Sequence, residues 1–208
     1  MRSALVTMAA LLSTSALALS GPAARAADPR YPNWPCTQAK VPDISLAAVW
    51  AGPPLGDAET KWKDDARVSA LVARLSARKT PLDEAEKSVK EFLAGSAADK
   101  TANAKLLFAG LFETLNAQRS QVMNGLERVS RKQREAADKI RDESIQLQAL
   151  QGATPRDDAK VDALSNQLIW ETRIFEDRHK VVRFVCEVPT AIDQRLFALG
   201  RVIQQEME

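Results

Sequence analysis

The chain has one histidine, one tyrosine, two cysteines and eight glycines among 208 residues, and each scarcity closes off a class of protein. A lone histidine, His179, cannot supply the several imidazoles of most zinc or copper centres, and no serine–histidine–acid trio forms around it. It sits in the charged stretch "EDRHK", where Glu176 lies one helical turn away, and two ligands do not make a metal site. Of the four methionines, Met1 and Met8 fall in the first eight residues, so there is no methionine-rich copper face. The glycines are too scattered for a phosphate-cradling loop or a nucleotide fingerprint. We therefore single out no catalytic, cofactor-binding or metal residue. The chain reads as a non-enzyme without a cofactor, and a hydrolytic enzyme is the least favoured alternative.

Long hydrophobic runs are also missing, except at the start. Arg2, the apolar run "ALVTMAALLSTSALAL" and the small-residue site "ARA" at 24–26 follow the order of a secretory signal peptide over residues 1–26, cleaved near Ala26. The run is too short and too poor in large residues for a membrane span, which needs about 20. The processed chain is expected in the periplasm or outside the cell. No excess of one charge remains after processing: the 29 basic residues lose Arg2 and Arg25 and equal the 27 acids. A neutral chain has no global field to draw in nucleic acid or anionic lipid, so neither is an expected partner.

The two cysteines are Cys36, in "YPNWPC", and Cys186. "NWP" before Cys36 is not the small-residue box of a lipid anchor. There is no CxxC for a redox or haem-attachment site. Two cysteines in an exported chain most often pair, which predicts a Cys36–Cys186 disulfide.

Proline is concentrated rather than rare. Six of the ten (Pro29, Pro32, Pro35, Pro42, Pro53 and Pro54) lie in residues 27–56, which read as an extended strap, since proline is excluded from helix interiors and sheet ladders. One short helix, "DISLAAVW", is expected within it, capped by Asp43 and stopped by Gly52.

The rest, 57–208, reads as an all-α domain. Trp62, Val68, Leu71, Val72 and Leu75 recur at helical spacing over 57–77. "TPLDEAEKSVKEFLAG" predicts a helix over 81–94, with Thr80 as cap, Pro81 first and Gly95 as stop. Two long helices follow, 98–151 and 155–207, separated by a break at Gly152–Ala153. In the second, "TPRD" supplies a start with Thr154 as cap, and Pro189 is expected to kink the helix. So short a connection predicts an antiparallel hairpin. Val122, Leu126, Val129, Ala136, Ile140, Leu147 and Leu150 face Val161, Leu164, Leu168, Phe175, Val182 and Val185 at the 3.5-residue spacing of a coiled coil. A turn at 152–153 makes facing numbers add to about 305. That sets Arg128, Arg131 and Arg134 near Asp177, Ile174 and Glu171, as flanking ion pairs rather than a ligand site.

Residues 97–120 and 192–203 are apolar on two sides, more than a two-helix seam needs. The helices of 57–94 are expected to cover them in a four-helix base. Residues 121–185 then project as an arm of about 45 Å, whose outline resembles the hairpins of periplasmic chaperones and efflux adaptors in shape alone. Trp170, with Ile169 and Ile174, falls off the seam and is a candidate partner contact, against side packing on Ala136 and Ala137. The function expected is a non-catalytic interaction protein: a scaffold, adaptor or holdase-like factor that engages a protein partner or self-associates through the arm. The alternative is a small-ligand-binding bundle, its pocket walled by Trp50, Trp62, Phe108 and Phe112.

Overall fold

A computed structural model describes residues 28–95 and 99–208. The expected signal peptide and the expected helix start at Ala98 lie outside the described residues. Every regular element among the described residues is helical, with no strand. In chain order they are α1 (Leu46–Val49), α2 (Ala58–Lys61), a 3₁₀ turn (Trp62–Asp64), α3 (Ala66–Ser76), α4 (Leu82–Ala94), α5 (Lys100–Gly152), α6 (Asp158–Val185) and α7 (Glu187–Met207). At 53 residues, α5 is about 80 Å long.

Several starts differ from expectation because a side chain found a different partner. Over 57–77 the chain makes α2, a turn and α3. Asp65 adopts an extended conformation and its carboxylate accepts from the Arg67 and Val68 amides at 2.8 and 3.2 Å, a cap that ends one helix and starts the next. The Thr80 hydroxyl donates to the Arg74 carbonyl at 2.9 Å. It therefore closes the end of α3 instead of capping α4. The strap helix is the single turn α1, without a side-chain cap from Ser45; Asp43 lies outside it. The start signal at 154–157 is displaced too: Asp157, not Thr154, caps α6 by accepting from the Lys160 amide at 3.1 Å.

The return helix is two helices. Proline at 189 has no amide hydrogen, and its ring displaces the carbonyl four residues back. The break falls between α6 and α7, which puts Pro189 third in α7, where amides have no intrahelical partner anyway. Cys186 keeps right-handed helical angles (φ −59°, ψ −25°), so the chain bends there without turning back.

The main core gathers Val68, Leu71, Val72 and Leu75 of α3, Ala85, Val89 and Leu93 of α4, Leu107, Phe108, Leu111 and Leu115 of α5, and Ile192, Leu196, Leu199 and Ile203 of α7. Trp50, Leu55 and Trp62 close it from the strap side. Two glycines set its tightness. A Cβ at Gly110 would lie 2.7 Å from Val72 Cγ2 and 2.8 Å from the Trp62 ring. One at Gly200 would lie 2.9 Å from the Phe108 ring and 3.1 Å from the Val49 carbonyl oxygen. Gly125 is different, with nothing nearer than the Arg128 guanidinium at 3.8 Å.

Beyond the core, α6 lies against α5. Gln133 Nε2 donates to the Phe175 carbonyl at 3.0 Å, Lys139 Nζ meets Glu171 Oε1 at 2.6 Å, and Gln167 Nε2 donates to Glu143 Oε1 at 2.8 Å. Facing numbers thus add to 308–310, not about 305, because the chain spends 153–157 between the helices.

These environments separate two otherwise similar substitutions. Alanine favours a helix over glycine by about 1 kcal/mol, so Gly125→Ala should raise the melting temperature. Gly110→Ala should lower it, because overpacking costs about 1–3 kcal/mol. Urea titration of the two variants beside the parent checks both signs.

Candidate interaction surface

The strap runs along α5 in the opposite direction, tied at successive points. Arg119 is almost fully buried; its Nη1 donates to the Pro42 carbonyl at 3.0 Å and its Nε lies 2.7 Å from Asp193 Oδ1. Burial raises the Asp193 carboxyl above its ordinary value, and the Arg119 charge opposes the rise. Further along, Lys40 Nζ pairs with Glu127 Oε1 at 2.7 Å and sits 4.7 Å over the Tyr31 ring. Arg134 then donates to the Pro32 carbonyl at 3.1 Å and to Asn33 Oδ1. The basic run 128–134 is thus divided, with Arg134 on the strap and Glu171 held by Lys139. That lysine keeps the Glu171 carboxyl below its usual range, and Glu171 raises the Lys139 ammonium in turn.

Cys36 and Cys186 are bonded, S–S 2.04 Å, across 150 residues. Trp34 packs on the small cluster of Leu126, Val182 and Cys186, its indole donating to the Gln38 carbonyl at 2.7 Å. Gln38 Nε2 in turn donates to the Cys186 carbonyl, at the bend. The disulfide and the lack, among the described residues, of any helix long and apolar enough to cross a membrane are compatible with an exported protein.

The strap's contacts on α5, at 119, 127 and 134, occupy one side of that helix. At 100° per residue, Gly125, Arg128 and Lys132 lie on the opposite side. There a groove of about 820 Å³ opens between α5 and α6, floored by Val122, Leu126, Val129, Val181 and Val185 and edged by Arg128, Lys132 and Arg178.

Trp170, Ile174 and Val181 stand on this open side of α6, 63%, 46% and 59% exposed; Phe184, 78% exposed, carries their line to a hollow that it shares with Pro35, Thr37 and Gln38 of the strap. Trp170 is not packed away against Ala136 and Ala137. The positions 170, 174, 177, 181 and 184 step by four, three, four and three, each one residue before a seam position, so they form a second heptad stripe beside the first. Val181 and Phe184 escaped the sequence reading, although this spacing marks them. Ile169, 64% exposed, is a full 100° from Trp170 and stands on the back of the helix.

The other candidates fall elsewhere. His179 is exposed, and among the described residues no group of three or more His, Cys, Asp or Glu side chains is placed to hold a metal. Trp50 stacks on Phe108 at 4.3 Å and Phe108 on Phe112 at 6.2 Å between ring centroids. Trp62 is buried, its indole donating to Glu113 Oε2 at 2.9 Å. Lys63 and Trp62 together hold the Glu113 carboxyl below its usual range.

Non-reducing peptide mapping should recover Cys36 joined to Cys186, and reduction should lower stability by up to roughly 5 kcal/mol in the chain-entropy model. Melting curves with and without reductant check the size of that loss. Two free thiols in oxidised material would contradict the pairing. No family model matches the chain, nor does any curated protein or solved structure.

Proposed function

We propose that the chain is an exported, non-catalytic helical interaction protein, a scaffold, adaptor or holdase-like factor. In this reading α3, α4, α7 and the first part of α5 make a four-helix base. The rest of α5 and α6 make a coiled-coil-like hairpin arm that projects from it and engages a protein partner.

One observation carries the reading: Trp170, Ile174, Val181 and Phe184 form a line of large apolar side chains facing water on one side of α6. A single exposed apolar residue is ordinary, whereas four on one stripe, broken only by Asp177 and with Val181 lining an apolar groove, are the chemistry of an interface. Tryptophan and phenylalanine are the side chains that anchor such contacts. Export is supported by the signal-like N-terminus and by the disulfide. The stacking of Trp50 on Phe108 weighs against the small-ligand alternative, because the rings fill the space that a ligand would occupy.

Small-angle scattering should give a radius of gyration well above the roughly 16 Å of a compact chain of this length; a value near that figure would remove the arm. Pull-down from a periplasmic extract should retain a partner that Trp170→Ala holds about 30-fold less tightly, the loss of an anchor worth roughly 2 kcal/mol. Equal capture by parent and variant would count against the arm as the binding element.

A further inference from the structure

We propose that the groove between α5 and α6 is a site for a long-chain carboxylate. The acyl chain lies toward Cys186 and the head group toward the tip of the arm. This goes beyond the protein-partner reading. The groove shares only Val181 with the exposed line of α6, because Trp170, Ile174 and Phe184 do not line it.

Polarity is sorted along the groove. With facing numbers adding to 308–310, the lining falls into two ends. Toward Cys186 the walls are Val122, Gly125, Leu126, Val182 and Val185, without a charge. Toward the tip they are Lys132, Gln133, Asp177 and Arg178, and Arg128, Val129 and Val181 stand between the two ends. Docking of a second helix needs apolar anchors repeated along the whole contact. One apolar end and one polar end suit a molecule built as a tail and a head.

Charge sets the sign of that head. Asp177, the one acid of the lining, is held by Lys180 at 3.1 Å. Arg128, Lys132 and Arg178 are exposed, and among the described residues their side chains make no ion pair or hydrogen bond. On the strap side, by contrast, Lys40 has Glu127 and Arg134 has the Pro32 carbonyl. Three unpaired cations at one end of an apolar slot suit an anion, and the arginine fork matches a carboxylate through two parallel hydrogen bonds.

The dimensions agree. A volume of about 820 Å³ lies within the roughly 300–1,000 Å³ usual for small-ligand sites. From Val122 to Gln133, α5 rises about 16 Å, the extended length of roughly twelve carbons at about 1.3 Å each. Gly125 opens the apolar end. A Cβ there would meet nothing nearer than the Arg128 guanidinium at 3.8 Å, so packing does not require glycine where helix propensity opposes it. The missing side chain leaves the space that the acyl chain fills.

The test uses the disulfide-bonded protein expressed with its own N-terminal segment and stripped of bound lipid. Calorimetric titration with sodium dodecanoate, below its micelle concentration, should show one saturable site with a dissociation constant of roughly 1–100 µM. Decanoate should bind about five- to fifteenfold more weakly, the loss of two buried methylenes. Dodecyltrimethylammonium, with the same tail and the opposite charge, should not displace dodecanoate. Gly125→Leu should fill the groove and weaken dodecanoate by about tenfold or more, while the melting temperature does not fall. Lys132→Gln combined with Arg178→Gln should weaken it about fivefold. Absence of saturable binding overturns the site, and so does dodecanoate binding that Gly125→Leu leaves unchanged. Equal affinity for dodecyltrimethylammonium overturns recognition of the carboxylate. Attachment to phosphatidylglycerol vesicles by a chain that ignores free dodecanoate assigns the cations to a membrane surface instead. A pulled-down protein lost with Gly125→Leu, again without dodecanoate binding, assigns the groove to that protein. The Trp170→Ala pull-down judges the partner reading separately, since Trp170 lies outside the groove.

Discussion

The joint at Cys186 is the constraint on which the other features depend. Pro189 cannot extend the amide ladder of α6, so the chain must bend, and a bent helix without a brace would swing. The brace is the disulfide to Cys36, reinforced by Gln38 on the Cys186 carbonyl and by Trp34 on Leu126 and Val182. Because the bridge fixes Cys36, the strap's direction is fixed as well. Arg119, Glu127 and Arg134 then receive it in order along a single side of α5. Which side of the α5–α6 pair meets solvent follows from that one attachment.

Helix type and the break after Gly152 were legible in the sequence because period and punctuation agree there. Val68, Leu71, Val72 and Leu75 recur on one face, and those same residues are buried in α3. The starts were less legible. Asp65 looks like one more solvated acid of a continuous helix until its carboxylate is seen on two amides. Thr80 and Thr154 carry good capping chemistry, but Thr80 spends its hydroxyl on Arg74 and Asp157 takes the cap at α6. Local sequence offers several cap candidates within a few residues, and tertiary packing chooses among them. The loop 153–157 that results is longer than the expected break, and it shifts the facing register by three to five residues.

The cysteine partnership was legible by counting, since a chain with two thiols has only one internal pairing open to it. Trp170 was legible because it breaks the seam pattern. Val181 and Phe184 were harder to see, because a helix with two adjacent apolar stripes looks like one broad stripe, and which part faces α5 depends on the register. Gly110 and Gly125 are indistinguishable in sequence, being isolated glycines among good helix formers. Only the approach of Val72 and Trp62 to one of them separates a packing requirement from a tolerated interruption.

One helix, α5, passes through two environments. Every residue of α5 that is fully covered lies between Asn103 and Leu126; from Glu127 to Gly152 no side chain is buried. The hydrogen-bonded backbone is continuous, but the apolar reinforcement ends midway. Amide exchange should therefore be graded along a single rod, slow where α3 and α7 enclose it and fast toward residue 152. The far end can open and close in local excursions while the enclosed end stays folded. The molecule thus has a firm root and a yielding tip that can adjust its shape without unfolding the rest.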